Sequence, residues 1–205
     1  TTEDATLVTN GLAPTRGFLF TVEQGSRLEA RNSRIEKCGL LSGGAGASGS
    51  GLKLGSDDSI LEGVSISDCA NGVVIDSCDP RILNASISGN LFNGVYVLDS
   101  SNTSHRLDVT ITGSNISSNA GSGILANANY TGMTIIGNAI HDNLANGILL
   151  ISGNSAIATI TGNTLSSNNG IAAIGAIGTS QAIMGLDVHN NTMSQNTGTD
   201  LKFGI

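Results

Sequence analysis

The sequence contains no Trp, and aromatic residues make up only 3% of its 205 positions. A compact sandwich or an α/β domain fills its centre with large side chains, so both are disfavoured. With only 2 Pro, the chain is neither a collagen nor a Pro-rich linker. Charge is scarce as well: 12% of residues, a net charge of −7 and nine Lys and Arg in all. A phosphate-binding surface needs clustered cations, which excludes nucleic acid as a partner and disfavours anionic membrane surfaces. No apolar run approaches the roughly 20 residues that cross a bilayer, so no transmembrane segment is expected. No signal peptide is visible and the first residue is Thr1, which reads as a mature or excised product. The odd set of Cys38, Cys69 and Cys78 has no zinc spacing. There is no nucleophile elbow, HExxH or P-loop, and the sequence calls for no cofactor and no metal.

What the chain does have is 28 Gly, much Asn, Ser and Thr, and many short aliphatic runs. Gly, Asn and Ser mark turns, and short aliphatic runs between turns mark short strands. The runs repeat. Residues 109–119 read VTITGSNISSN, 133–143 MTIIGNAIHDN, 158–168 ATITGNTLSSN and 186–196 LDVHNNTMSQN. Segments 28–38, 59–69 and 80–90 follow the same plan. Each unit centres on one aliphatic: Ile35, Ile66, Ile87, Ile116, Ile140, Leu165 or Met193. Three residues before it stands Asn32, Gly63, Asn84, Gly113, Gly137, Gly162 or Asn190; three after it, Cys38, Cys69, Asn90, Asn119, Asn143, Asn168 or Asn196.

A period of about two dozen residues holds two or three short strands with their turns and leaves no room for a helix. The chain must then wind, pairing each strand in parallel with its counterpart one coil away. Gly or Asn before the central aliphatic suits a left-handed backbone bend. Asn after it suits a ladder of side-chain bonds between neighbouring coils. The expected fold is all-β: a right-handed single-stranded parallel β-helix of about eight rungs, one domain over 1–205. An irregular start over 1–17 and a flexible loop over 39–51 interrupt it.

The pattern Gly137-Asn138-Ala139-Ile140-His141-Asp142-Asn143, with Gly147-Ile148 following, resembles the parallel β-helix repeat proteins of the pectate-lyase-like superfold, including NosD-like surface and periplasmic proteins. The resemblance covers about residues 18–205. It implies the fold and leaves the function open, because this superfold carries lyases, hydrolases, epimerases, adhesins and spikes.

Chemistry on such a fold lies in outward side chains aligned across coils, and no dense carboxylate cluster is evident. The candidates for an enzyme are Asp76 with Asp99, which follow similar Gly-aliphatic runs, and the adjacent His141 and Asp142. Asp57-Asp58 and Asp79 are further turn acids, and Asp79-Pro80-Arg81 lacks the His of an epimerase-like D-P-H motif. Thr110, Thr112, Thr134, Thr159 and Thr161 line up outward; Thr stacks well in strands, and such arrays also resemble ice-binding faces. Cys38 and Cys69 share a column on adjacent coils and are candidates for a disulfide, with two reduced thiols the alternative; Cys78 is then left for a crosslink between subunits. Among the Asn-x-Ser/Thr sequons, Asn102 and Asn129 sit in expected turns and are the candidate glycosylation sites.

The absence of a catalytic cluster and of polar end caps leads to a structural expectation. The chain reads as an extracellular, cell-surface or virion-surface β-helix that assembles with copies of itself or a neighbouring surface domain into a coat, filament or spike. The alternative is a carbohydrate-active β-helix, an enzyme or a glycan-binding module, with polysaccharide as partner.

Overall fold

The structure, a computed structural model, describes residues 2–3, 6–7, 20–39, 51–100, 107–178 and 182–204. Its regular elements are all β-strands, wound into a parallel β-solenoid. One sheet has eight short strands, one per coil: β2 (Thr6–Leu7), β5 (Arg34–Glu36), β8 (Ser65–Ser67), β11 (Ser86–Ser88), β14 (Asn115–Ser117), β16 (Ala139–His141), β18 (Thr164–Ser166) and β21 (Thr192–Ser194). Their central aliphatics stack in register from Ile35 to Met193.

The second sheet forms the other two faces. The first face runs through β1 (Thr2–Glu3), β4 (Glu29–Arg31), β7 (Ile60–Glu62), β10 (Arg81–Leu83), β13 (Leu107–Thr112) and β20 (Ile183–His189). The third runs through β3 (Phe20–Val22), β6 (Gly51–Leu54), β9 (Asn71–Asp76), β12 (Val95–Leu98), β19 (Ala172–Gly178) and β22 (Thr199–Gly204). Two long strands, β15 (Ile124–Ile136) and β17 (Ile148–Thr161), belong to both: each ends one coil and begins the next. The expectation of uniformly short strands fails at these two: Asn127 and Asn129 in β15 and Ser152-Gly153-Asn154-Ser155 in β17 lie within continuous strand, and the only irregularity is a register shift between Ala128 and Tyr130.

Ile82, Ile111, Ile135, Ile160 and Val188 form one inward column, and the first four are fully buried. Burying such a side chain is worth about 1.5–3 kcal/mol, and these columns supply the core that aromatics would otherwise fill. About five turns are complete, fewer than the eight rungs the repeat suggests. The first coil contributes only two- and three-residue strands. The start is not wholly irregular, since Thr2 pairs with Ala30 and Thr6 with Arg34. Of the expected loop, Gly51 opens β6 and residues 40–50 lie outside the described residues.

The corners explain the repeat. Asn32, Gly63, Asn84, Gly113, Gly137, Gly162 and Asn190 all have φ between 46° and 67°. A second left-handed corner follows the central aliphatic by two residues: Lys37, Asp68, Gly89, Ser118, Asp142, Ser167 and Gln195. Its residue types gave no sign of it.

The Asn column is a continuous ladder. The N–H groups of Cys69, Asn90, Asn119, Asn143 and Asn168 each donate to the side-chain oxygen of the Asn one coil on, at 3.0–3.3 Å. A second ladder runs through Ser114, Asn138, Asn163 and Asn191, at 2.8–2.9 Å. Buried amides must find acceptors, and these ladders supply them where the strands turn.

Candidate functional site

Asp76 ends β9 and points outward from the third coil, opposite Leu98 in register. Its carboxylate pairs with Lys53 Nζ at 2.8 Å and accepts the Ser100 N–H and the Ser77 hydroxyl, each at 3.0 Å. The same Ser77 hydroxyl stands 3.0 Å from Asp99 Oδ1. One hydroxyl therefore bridges the two carboxylates that the sequence suggested as neighbours, and the structure brings them together. Burial acts to raise the Asp76 carboxyl, but the Lys53 ammonium and the bonds from Ser100 and Ser77 outweigh it and hold it below its ordinary value.

These residues wall a cleft of about 560 Å³ that runs along the solenoid axis. Thr21, Glu23 and Gln24 line it from the first coil, Lys53, Gly55 and Asp57 from the second, Asp76 and Ser77 from the third, and Ser100 from beyond β12. Tyr96, one of two Tyr in the chain, stands outside the lining on the same face, on β12, in register with Val74 and two residues from Asp76's partner Leu98.

The Asp76 side chain is only 6% exposed, and its carboxylate is engaged by Lys53, Ser77 and Ser100. The other turn acids carry structural bonds: Asp57 accepts the Asp79 N–H at 3.2 Å, and Asp79 accepts the Asp108 N–H at 2.6 Å. His141 stands on the Ser-rich sheet, with Nδ1 2.7 Å from Asp142 and Nε2 2.9 Å from Asn115. That pair is on a different face and does not join Asp76 and Asp99. Among the described residues no group of three or more His, Cys, Asp or Glu is placed to hold a metal ion.

The Thr array is as expected, with Thr110, Thr134 and Thr159 in register, and Thr112 and Thr161 flanking Ile136. Cys38 and Cys69 do stack, but the candidate disulfide is absent: the Cys38 N–H donates to Cys69 Sγ at 3.2 Å, and both are buried thiols. The bond to Cys38 and burial push the Cys69 thiol well above its ordinary value. Cys78 is fully buried, donates to Leu54 O at 3.1 Å and is pushed up by burial to about 12. It is therefore not exposed for a crosslink between subunits. Asn129 lies at the irregularity inside β15, not in a turn, and the hydroxyl-bearing Thr131 of its sequon is 2% exposed. Asn102 lies outside the described residues.

The sequence reading missed the outward columns of the third face. One runs Lys53, Val74, Tyr96, Leu125, Leu149, Gly175, Lys202, and the next Asp76, Leu98, Asn127, Ile151, Ile177, Gly204. From the fourth coil to the seventh neither carries a charge. Alternation in β15 and β17 was the available signal, but with apolar residues on both faces it does not separate inside from outside.

No helix among the described residues is long and apolar enough to cross a membrane. No curated protein matches the sequence. In structure the chain is similar to the A-module of the Azotobacter vinelandii mannuronan C-5 epimerase AlgE6, with a TM-score of 0.57 and 18% identity; the match covers 90% of this chain and 55% of that one. The model of the right-handed β-helix region matches residues 21–197. It adds the handedness to the parallel coil seen in the structure, and the chain belongs to the right-handed β-helix family.

Proposed function

We propose that this β-helix is a glycan-binding module that holds a linear polysaccharide along the cleft from Thr21 to Ser100. The observation that carries the reading is the cleft itself, a polar channel parallel to the axis that takes side chains from four successive coils. Carboxylates, hydroxyls and an amide on its walls match the hydroxyls of a sugar, and Tyr96 on the same face, two residues from Leu98, offers a ring face for stacking on a chain that extends past the cleft. The similarity to a module titled as an epimerase of mannuronan agrees with a carbohydrate partner. The engaged state of Asp76 favours binding over catalysis. A place outside the cytoplasm, where polysaccharides are met, belongs to the same proposal.

Affinity electrophoresis against a panel of neutral and acidic polysaccharides tests it. Retardation by at least one linear glycan is expected, with loss in Gln24→Ala and Tyr96→Ala variants. Unchanged mobility with every glycan, or equal retardation of both variants, overturns the proposal.

The second reading, a self-assembling structural protein, rests on the last coil. Strands β20 and β22 pair on one side only, and Ile183, Leu201 and Phe203 are 71%, 44% and 52% exposed. Beside them is an apolar hollow of about 620 Å³ lined by Met184, Leu186 and Phe203. Such an edge recruits a further coil, whether of its own or of another chain.

A further inference from the structure

Five Asn-Gly pairs occur in the sequence: Asn10-Gly11, Asn71-Gly72, Asn93-Gly94, Asn146-Gly147 and Asn169-Gly170. The pair is chemically fragile. Once the Gly N–H loses its proton, the nitrogen can attack the Asn side-chain carbonyl, and the missing Cβ leaves the approach open. The rate depends on how firmly both groups are held by the fold. Asn10 lies outside the described residues.

Three of the other four pairs are clamped between coils. The Asn71 side-chain oxygen accepts the Asn93 N–H at 3.0 Å, that of Asn93 the Ser122 N–H at 2.9 Å, and that of Asn146 the Ala172 N–H at 3.0 Å. Asn71 and Asn146 are also buried. The nitrogens of Gly72 and Gly94 are engaged as well, donating to Asn93 O and Ser122 O, each at 3.0 Å.

Asn169-Gly170 differs. Asn169 is exposed, and its side chain makes no hydrogen bond among the described residues. Gly170 stands two residues after a ladder Asn. At that place in the three preceding coils the N–H groups of Phe92, Gly121 and Ala145 donate to Ala70 O, Phe92 O and Gly121 O at 2.7–3.0 Å, whereas that of Gly170 donates to no backbone oxygen among the described residues. The cause is one additional residue. Asn143 and Asn168 share the ladder and Ile148 is in register with Ile174, so the corner takes five steps in the earlier coil (143 to 148) and six in the later (168 to 174). Packing requires the glycine, since a Cβ at Gly170 would lie 2.4 Å from Asn146 N.

We propose that Asn169 is a site of spontaneous covalent modification, where the folded chain deamidates ahead of its clamped Asn-Gly pairs. Gly170 N gives up its proton, bonds to Asn169 Cγ and expels Nδ2, which leaves with that proton as ammonia; a succinimide ring remains. Water opens the ring, its hydroxyl going to Cγ to give Asp or to the Asn169 backbone carbonyl carbon to give isoaspartate, and its other proton to Gly170 N. Both products add a negative charge, and isoaspartate adds a methylene to the backbone. That methylene enters between Asn168 O and Ile171 O, which accept the last coil's Thr197 and Thr199 N–H groups at 3.0 and 3.1 Å. The modification falls on the corner that holds the last coil, away from the cleft, and is independent of the glycan reading.

Peptide mapping by mass spectrometry tests it, on the full chain aged folded in warm, mildly alkaline buffer and on the same chain aged in urea. In the folded chain Asn169 is expected to convert at least tenfold faster than Asn71, Asn93 or Asn146, giving separable Asp and isoaspartyl peptides. In urea the four are expected to convert at similar rates. Asn169→Gln, an exposed change, removes the early product and leaves the circular dichroism unchanged. Conversion of Asn71, Asn93 or Asn146 in the folded chain as fast as that of Asn169 overturns the proposal. So does an Asn169 that stays intact in the folded chain while the urea sample converts. So does an excess at Asn169 that persists in urea, which would assign the reaction to local sequence and not to the corner.

Discussion

The side-chain oxygen of Asn143 accepts two hydrogen bonds from Asn119 one coil earlier, from its N–H at 3.1 Å and from its Nδ2 at 2.9 Å. The Asn143 amide meanwhile donates to Ile116 O at 3.2 Å and to Asn168 Oδ1 at 2.9 Å. One fully buried side chain thus ties three coils together.

Removing it leaves buried groups unpaired, each costing about 1–3 kcal/mol. Asn143→Ala is therefore expected to destabilise the fold by several kcal/mol in urea unfolding. Asn196→Ala is the control. It occupies the same column in the last coil, is only partly buried and supports Asn168 from one side. Its cost should be less than half. Equal costs would mean that the ladder contributes through local turn preference and not through bonds between coils.

Two glycines separate conformation from space. Gly137 has a φ of 66°, and a Cβ there would meet nothing within 4 Å. Gly123 needs no unusual φ, but its Cβ would lie 2.6 Å from Ile140 Cγ2 and 2.8 Å from Gly147 O. Gly137→Ala should cost about 1–2 kcal/mol, the penalty of the left-handed region alone. Gly137→Asn should recover much of it, because Asn already occupies that corner at Asn32, Asn84 and Asn190. Gly123→Ala should cost as much or more through overpacking, and Gly123→Asn should make matters worse. Thermal unfolding of the four variants decides this; rescue at both sites would refute the distinction.

The same contrast explains how much the sequence disclosed. The corner at Gly137 was legible because the left-handed region selects Gly and Asn, and the ladder because its geometry selects Asn. The corner at Ser118, Asp142 and Gln195 was not, although its φ values are 56–57°. Ordinary residues occupy it, so neighbouring strands and not residue preference must enforce the bend. The constraint at Gly123 was not legible, since the close approach of the next coil's carbonyl is a property of packing. For the site, the Asp76–Asp99 pairing followed from their like positions after a Gly-aliphatic run. The involvement of Lys53 and of the first coil did not follow, because residues 20–24 fall outside the repeated segment. The stacked cysteines were foreseen, but their oxidation state is a question of chemistry that alignment in a column does not answer.

The Asp76 carboxylate supplies a pH-dependent contribution whose sign is fixed. Its folded-state affinity for a proton lies below that of the free side chain, for which 3.8 is the reference value. The unfolded chain binds the proton more readily, so the stabilisation is fully present above about pH 4–5 and drains away as pH falls through the lower folded value. Asp76→Asn should therefore be less stable than the wild type at neutral pH and approach it in acid. Glu29, bonded to Arg31 and lowered in the same direction, titrates in the same window. A Glu29→Gln variant therefore serves as the reference, and because Glu29 is only partly buried and pairs with the more exposed Arg27 and Arg31 its effect should be small and salt-sensitive. Lys53→Met separates the remaining causes: it removes the strongest stabiliser of the charged form, so the acid transition of this variant should begin at a higher pH. Urea midpoints measured from pH 7 down to pH 3 read all four proteins. An Asp76→Asn curve parallel to the wild type across that range would mean that the Lys53–Asp76 pair contributes nothing that depends on its charge.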